Sequence, residues 1–165
     1  MKGITGILGA LAAQEAKFIF VGGVASFLHG STYPTEDLDL CIERSAENLK
    51  KIAAALKPFH PALRGLPQGL KAPVDEQTLK QGTNFTLVTS EGLVDLLGEM
   101  SGVGGYYDIE SNARVENVNG VFCLVASLED IIKSKEAANR PKDQLTLPEL
   151  RALLEMKKQI QKSQD

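Results

Sequence analysis

Residues 18–43 read FIFVGGVASFLHGSTYPTEDLDLCIE, and this stretch decides how the rest of the chain is interpreted. The apolar run at 18–21 predicts a short buried strand, and the Gly22-Gly23 pair that follows predicts a turn. Residues 24–28 are expected to form a helix, which Gly30 closes in a left-handed conformation. The stretch therefore predicts a strand, a glycine turn and a helix in direct succession.

A second strand follows, and it carries two carboxylates. Pro34 favours an extended backbone just before this strand, and residues 37–43 then read DLDLCIE. Side chains alternate between the faces of a strand, so we expect Asp37 and Asp39 on one face and the leucines on the other. Carboxylates this close repel each other unless a cation lies between them. A divalent ion with a polyphosphate would meet this need, and oxygen-only ligands suit magnesium.

Composition places the chain among globular proteins. Its 165 residues are 43% apolar, which predicts one domain over residues 1–165 and excludes disorder as the default. No apolar run approaches the roughly 20 residues that span a bilayer, and the N-terminus lacks a signal-peptide layout, so no membrane contact is expected. Cys41 and Cys123 fit no metal or CxxC pattern, which favours buried, reduced thiols in a cytoplasmic protein. The net charge of −3 argues against a broad phosphate-binding surface.

The remaining elements follow from periodicity and turn signals. Asn119-Gly120 between two apolar runs is a strong hairpin signal, and Ser45 and Ser127 are placed to cap helices. The stretches 58–73 and 98–105 are rich in proline or glycine and are predicted to be loops. The last helix is expected to open at 146–149, with Pro148 in its first turn. The other predicted elements are helices at 4–15, 45–56, 75–80 and 127–139 and strands at 85–89, 93–97, 114–118 and 121–125.

The Gly22-Gly23 turn and Asp95 are candidates for the same site. Absent side chains at a strand-to-helix turn let backbone N–H groups approach a phosphate, although steric need alone often explains such a pair. Asp95 lies in Leu93–Leu97, where both strand faces are otherwise apolar. Burying a carboxylate without a partner is costly, so Asp95 is expected to share a metal with Asp37 and Asp39. The alternative is an acid on an edge strand or in an ion pair.

Lys135 is the candidate cation. On a helix from Leu128 it falls within the apolar stripe, whereas Lys133 points away. An inward lysine either extends its ammonium out of the core or contacts a phosphate. Phosphoryl chemistry requires such a cation to offset the charge that develops on the leaving group. Both interpretations of Lys135 stay open from the sequence.

Taken together, these residues resemble a known family. A Gly-Gly turn, then His29-Gly30, then T-x-DLDL from Thr35 resembles the opening motif of the DNA polymerase β-like nucleotidyltransferase superfamily. The later stretch 127–135 (SLEDIIKSK), with Arg140-Pro-Lys-Asp143, is similar to small prokaryotic members. Those members lie near the minimal nucleotidyltransferases and the nucleotidyltransferase toxins of abortive-infection systems. The resemblance spans roughly residues 16–155.

The resemblance implies an α/β (α+β) nucleotidyltransferase fold, with a mixed, mostly antiparallel sheet flanked by helices and a helical C-terminus. The resemblance also implies two magnesium ions as cofactor and a nucleoside triphosphate as substrate. An RNA or protein acceptor and an antitoxin or other partner protein are also implied. Relatives often carry arginine near Tyr33 or Pro34, so one phosphate contact differs here. The implied catalytic and metal-binding residues are Asp37, Asp39 and Asp95, and the implied nucleotide-binding residues are Gly22, Gly23, Thr35 and Lys135.

Two other functions fit parts of the pattern. A dinucleotide-binding domain would explain the strand–Gly-Gly–helix start and Glu43, twenty residues past Gly23, as the ribose-binding acid. It lacks GxGxxG, however, and leaves Asp37-x-Asp39 unexplained. A non-catalytic member of the same fold, which acts by binding a partner, is the third possibility. The intact acids and lysine argue against it.

Overall fold

The computed structural model describes residues 3–70 and 72–165. The strands in these residues are β1 (Phe18–Phe20), β2 (Asp37–Ile42), β3 (Ala62–Leu63), β4 (Asn84–Thr89), β5 (Gly92–Leu97), β6 (Glu99–Met100), β7 (Gly104–Gly105), β8 (Arg114–Val118) and β9 (Val121–Val125). The helices are α1 (Ile4–Ala13), α2 (Gly22–Leu28), α3 (Ala46–Leu56), α4 (Glu76–Gln81), α5 (Tyr106–Glu110), α6 (Leu128–Ala138) and α7 (Pro141–Gln164), with a 3₁₀ turn at Lys57–Phe59.

A seven-stranded sheet in the described residues organises these elements, in the order β3-β4-β5-β2-β1-β9-β8. The pairs β2–β5 and β1–β9 are parallel, and the other four pairs are antiparallel. Helix α1 packs against α3, and α6 packs against both α2 and α7. The predicted architecture, a mixed and mostly antiparallel sheet with flanking helices and a helical C-terminus, is confirmed.

The central strands show the alternation that the sequence predicts. Leu38 and Leu40 of β2 are buried, as are Val94 and Leu96 of β5, and they join the main hydrophobic core. The intervening positions of the two strands face the opposite side of the sheet. The core therefore covers one face of β2 and β5 and leaves the other face for polar side chains.

The two cysteines of the chain, Cys41 and Cys123, are both free and buried. Burial raises the pKa of the Cys41 thiol to about 12 and that of the Cys123 thiol to about 11. Both thiols are therefore protonated near neutral pH.

Several local predictions are confirmed. Asn119 and Gly120 have φ of 53° and 87°, and they close the β8–β9 hairpin with Val118 opposite Val121. Ser45 and Ser127 accept backbone N–H groups as helix N-caps. Gly30 follows α2 with φ of 108°, a positive value that suits a residue without Cβ. Turn and cap signals in this chain thus act as expected.

The predicted start of the last helix is wrong. Helix α7 begins at Pro141 rather than near Thr146, and Pro148 lies inside it. Proline at the first helical position loses no hydrogen bond, and the carboxylate of Asp143 accepts the N–H of Arg140 just before the helix (3.1 Å). Pro148 removes one helical hydrogen bond, and buried Leu147 and Leu150 hold this part of α7 against the body.

Two predicted loops contain short elements. Strands β6 and β7 form a separate two-stranded pair within 98–105, and the 3₁₀ turn and β3 lie within or next to 58–73. In the part of the chain that the structure describes, no helix combines the length and apolar character needed to cross a membrane.

Candidate functional site

Three carboxylates meet on the polar face of β2 and β5. Asp39 is the register partner of Asp95 in this parallel pair, and Asp37 lies two residues earlier on the same face of β2. Strand β5 lies between β4 and β2, so Asp95 is on an interior strand and the edge-strand interpretation is wrong. We call Asp37, Asp39 and Asp95 the acidic face.

Burial and neighbouring negative charge raise the pKa values of two carboxyl groups of the acidic face. Burial, followed by the negative charge of Asp95, raises the pKa of Asp39 to about 7. Burial, followed by the charge of Asp37, also raises the pKa of Asp95. Asp39 and Asp95 each influence the protonation of the other, so the two carboxyls titrate as a pair.

Gly22 and Gly23, predicted as a turn before the helix, form the first residues of α2 itself, and this pair, which we call the glycine turn, fits against Asp39. Gly22 has φ of 61°, and a Cβ at this position would clash with the Asp39 carboxylate. The N–H of Gly23 donates to Asp39 Oδ2 at 3.4 Å, and the N–H of Val21 donates to the Asp39 carbonyl at 3.0 Å. The turn therefore needs glycine to approach the acidic face, and its phosphate-binding role stays a prediction.

Thr35 lies behind the glycine turn. Its hydroxyl donates to the carbonyl of Asp37 at 3.3 Å, and a Cβ on Gly23 would come 2.5 Å from Thr35 Oγ1. Thr35 does not line the cavity beside the acidic face. The hydrogen bond from Thr35 to Asp37 sets the position of the start of β2. It does not test the nucleotide-binding role expected for Thr35.

Opposite the acidic face, two cations converge on one buried carboxylate. Asp143 of α7 is fully buried and accepts from Arg140 Nε at 2.8 Å and from Lys135 Nζ at 3.4 Å. Burial alone would raise the pKa of Asp143, but the hydrogen bonds and charge of Arg140 hold it below its usual value. Asp143 thus fixes both cations in place. We call Lys135 and Arg140 the basic wall.

A cavity of about 300 Å³ lies between the acidic face and the basic wall. The three acids line it together with Gly22, Gly23, Lys135 and Arg140. Lys135 is 8% exposed and bonds to Asp143 inside the protein, so its ammonium does not extend out to solvent. A phosphate contact for Lys135 stays a prediction. Carboxylates on one side and cations on the other suit a ligand that carries both a metal ion and phosphates.

The acids fit a magnesium site that a substrate completes. Asp95 Oδ1 is buried and has no hydrogen-bond partner among the described residues. Within residues 3–70 and 72–165, no group of three or more His, Cys, Asp and Glu side chains is arranged to hold a metal ion. Magnesium commonly takes one or two protein carboxylates and fills its other positions with water and substrate phosphates. Oxygen-only donors with one unpartnered oxygen match that chemistry.

Some cavity residues were not assigned a role from the sequence. Arg140 and Asp143 belong to the motif Arg140-Pro-Lys-Asp143. The sequence signal for their pairing is an acid three residues after Arg140, close to a proline that can open a helix. Asn84 of β4 lines the cavity, and its side chain accepts the N–H of Gly98 at 3.2 Å. Its presence at the site depends on strand pairing, which the local sequence does not encode.

Comparisons with known proteins agree at the level of architecture. No family model matches the chain, and no curated protein matches it by sequence. A protein from Thermotoga maritima that is assigned as a nucleotidyltransferase is 14% identical, with 96% of this chain and 91% of that chain covered and a TM-score of 0.52. The antibiotic-resistance factor ANT(2'')-Ia is 14% identical, with 99% and 95% covered and a TM-score of 0.56. At this identity the likeness establishes the fold.

Proposed function

We propose that this chain, which has the fold of the small nucleotidyltransferases of the DNA polymerase β-like superfamily, is a magnesium-dependent nucleotidyltransferase formed by one domain over residues 1–165. It would move a nucleoside monophosphate from a nucleoside triphosphate to a hydroxyl and release pyrophosphate. The observation that carries this proposal is the pairing of Asp39 with Asp95, beside Asp37 and across a cavity from Lys135 and Arg140.

The acidic face would hold the metal. Asp37 and Asp39 would bind two magnesium ions, and Asp95 would complete the position on the acceptor side. When bound, magnesium would neutralise phosphate charge and lower the pKa of the acceptor hydroxyl. Burial, followed by repulsion from Asp95, raises the pKa of Asp39, and this repulsion within the acidic face supports a site built for added positive charge.

The transfer needs one bond made and one broken. The acceptor oxygen attacks the α-phosphorus, the bond from the α-phosphorus to the bridging oxygen breaks, and pyrophosphate leaves with the electron pair. Asp95 would take the proton of the acceptor hydroxyl. Lys135 and Arg140 would offset the charge on the departing pyrophosphate, as preorganised cations do in phosphoryl transfer.

The glycine turn would hold the triphosphate in place. Gly22 and Gly23 bring backbone close to Asp39, and Thr35 packs behind Gly23. Backbone N–H groups at such a turn would bind phosphate oxygens, with Thr35 keeping the turn in position. The closeness of the turn to Asp39 supports a shared role for phosphate and metal binding.

The acceptor that we propose is RNA or protein, and the biological role is that of a toxin–antitoxin or phage-defence component with a partner protein. The similarity of 127–135, with Arg140-Pro-Lys-Asp143, to small prokaryotic members that lie near the abortive-infection toxins supports this setting. A dinucleotide-binding function has less support, because β1 and β2 are antiparallel and Glu43 is buried and accepts the hydroxyl of Ser45 at 2.7 Å.

The test is incubation with each labelled nucleoside triphosphate, magnesium, and total cellular RNA or protein. We expect label on one acceptor class, release of pyrophosphate, and loss of both signals in a metal chelator. Triphosphate binding without turnover would favour a non-catalytic member of the fold. A dinucleotide that raises the melting temperature without magnesium, with no triphosphate binding, would contradict the proposal.

A further inference from the structure

We infer that Glu149 is a positioning residue, which fixes the connection 31–36 to α7 and so holds the acidic face and the basic wall at their working separation. This inference rests on the proposed function, because the cavity between the two walls is the proposed triphosphate site. Glu149 itself does not line that cavity.

The side chain of Glu149 is bonded to the connection at both oxygens. Oε1 accepts the N–H of Thr32 at 2.8 Å and its hydroxyl at 2.7 Å, and Oε2 accepts the hydroxyl of Ser31 at 2.9 Å. A further link comes from Tyr33, whose hydroxyl donates to the carbonyl of Leu145 at 3.1 Å. Hydrogen bonds to an ionised carboxylate are stronger than neutral ones, so Glu149 is the main attachment of this connection to α7.

The connection leads directly into the acidic face. Thr35 hydrogen-bonds to the carbonyl of Asp37 and packs against Gly23, so the path of 31–36 sets where the first acid and the glycine turn stand. A shift of the connection would move Asp37 and the turn together. Displacements of this kind near reacting groups lower ligand affinity and rate even when the fold is intact.

The same helix carries the basic wall. Asp143, which holds Arg140 and Lys135, lies six residues before Glu149, about 9 Å along the helix axis. Buried Leu147 between them and buried Leu150 just after Glu149 anchor this part of α7 in the core. Glu149 therefore ties the acidic side of the cavity to a helix whose first turn fixes the cationic side.

Binding of a non-hydrolysable substrate tests this inference apart from turnover. Dissociation constants would be measured by calorimetry with magnesium and each of the four α,β-methylene nucleoside triphosphates, and KM, kcat and melting temperature would be measured alongside. Glu149→Ala should weaken binding about tenfold, the order expected for lost charge-assisted hydrogen bonds. Glu149→Gln keeps an acceptor for Thr32 and should recover most of the affinity.

Two further variants make the result specific. Glu155→Ala removes a carboxylate from the same helix, where it contacts Gln159 at 3.5 Å, and should bind as wild type does. Thr32→Ala leaves α7 unchanged and should weaken binding moderately. The double variant Thr32→Ala/Glu149→Ala should bind no more weakly than Glu149→Ala, since the threonine hydroxyl then has no acceptor to lose.

The outcomes separate the two proposals. Wild-type affinity in Glu149→Ala, or equal losses in Glu149→Ala and Glu155→Ala, would overturn the positioning role. Wild-type protein that binds the analogues but never turns over a triphosphate would overturn the proposed function, while the binding series would still decide the role of Glu149. Wild-type protein that binds none of the analogues would overturn both.

Discussion

Asp39 of β2 and Asp95 of β5 are direct neighbours across a parallel strand pair, and burial, followed by the charge of a neighbouring carboxylate, raises the pKa of both. Sequence separates them by more than fifty residues, and the sheet order brings them together. Removal of either carboxylate therefore removes a member of a pair rather than an isolated acid.

Loss of either acid should abolish turnover without unfolding the protein. Asp39→Ala and Asp95→Ala are each expected to lower kcat by about 100-fold or more, because the proposed set of magnesium ligands would lose a member. Pyrophosphate release at saturating triphosphate measures this loss. Glu91→Gln, on the turn between β4 and β5, is the matched control and should keep full activity. Activity retained in either alanine variant would disprove the metal assignment.

The acidic face should make the metal-free protein less stable as pH rises. The folded chain binds the Asp39 proton more tightly than the unfolded chain does, since burial and then the charge of Asp95 raise the pKa to about 7 from its ordinary value of 3.8. The stability from this group is fully present below the unfolded pKa and is lost as pH rises through the folded pKa.

Asp39→Asn should therefore melt above wild type in chelator at about pH 8, and the difference should shrink towards about pH 4. Each kcal/mol corresponds to about 2–4 °C in a chain of this size. Melting curves across this range test the expectation. A difference that does not change with pH would show that Asp39 titrates normally.

The buried carboxylate of Asp143 should be costly to remove. Asp143→Ala leaves Arg140 and Lys135 without their shared counter-charge and should cost about 3–5 kcal/mol of unfolding free energy at neutral pH. Because the pKa of Asp143 is lowered, its contribution is present above the unfolded pKa and is lost as pH falls through the folded pKa. Urea unfolding measures the loss.

The exposed pair of Arg151 with Glu136, whose side chains are 55% and 47% exposed, is the contrasting case. Arg151→Gln should cost less than about 1 kcal/mol. Equal costs for Asp143→Ala and Arg151→Gln would mean that Asp143 does not hold the basic wall.

Two lysines of one helix should behave differently. Lys135→Ala is expected to lower kcat/KM for the triphosphate by about 100-fold, because a cation positioned for the leaving group is lost. Lys133, two residues earlier, is exposed, and Lys133→Ala should match wild type. Steady-state kinetics of the two variants gives the comparison, and similar losses in both would indicate a general effect of helix charge.

The glycine turn should not tolerate a methyl group. Gly22→Ala places Cβ against the Asp39 carboxylate at positive φ, which costs at least about 1–2 kcal/mol and displaces the acid. In Gly9→Ala, the added Cβ in α1 has no neighbouring atom within 4 Å. Because alanine favours the helix more than glycine does, this substitution should stabilise the protein by up to about 1 kcal/mol. Urea midpoints compare the two. A neutral Gly22→Ala would show that the turn and Asp39 move independently.

Much of the architecture could be predicted because its signals are local. Alternation in β2, the Asn119-Gly120 turn and the caps at Ser45 and Ser127 each depend on a few adjacent residues. The start of α7 could not be fixed in the same way, because two prolines compete as helix openers. The fully buried Asp143 favours the earlier one, since its carboxylate binds Arg140 and Lys135 in the folded chain.

Only those site residues that carry a signal in the local sequence could be predicted. The buried setting of Asp95 and the inward phase of Lys135 are visible in the sequence, and the structure brings both to one cavity. Asn84 and Glu149 have no such signal, because their roles depend on strand register and on a contact across more than one hundred residues.

The protonated state of the two buried thiols has a practical consequence for spectroscopy. Maleimide dyes and spin labels react with thiolates, and neither native cysteine offers one at neutral pH. A single cysteine introduced at exposed positions such as Glu36 on the connection and Leu145 on α7 would carry a probe without prior removal of the native ones. A pair of such probes would report the distance between the connection and α7 in solution.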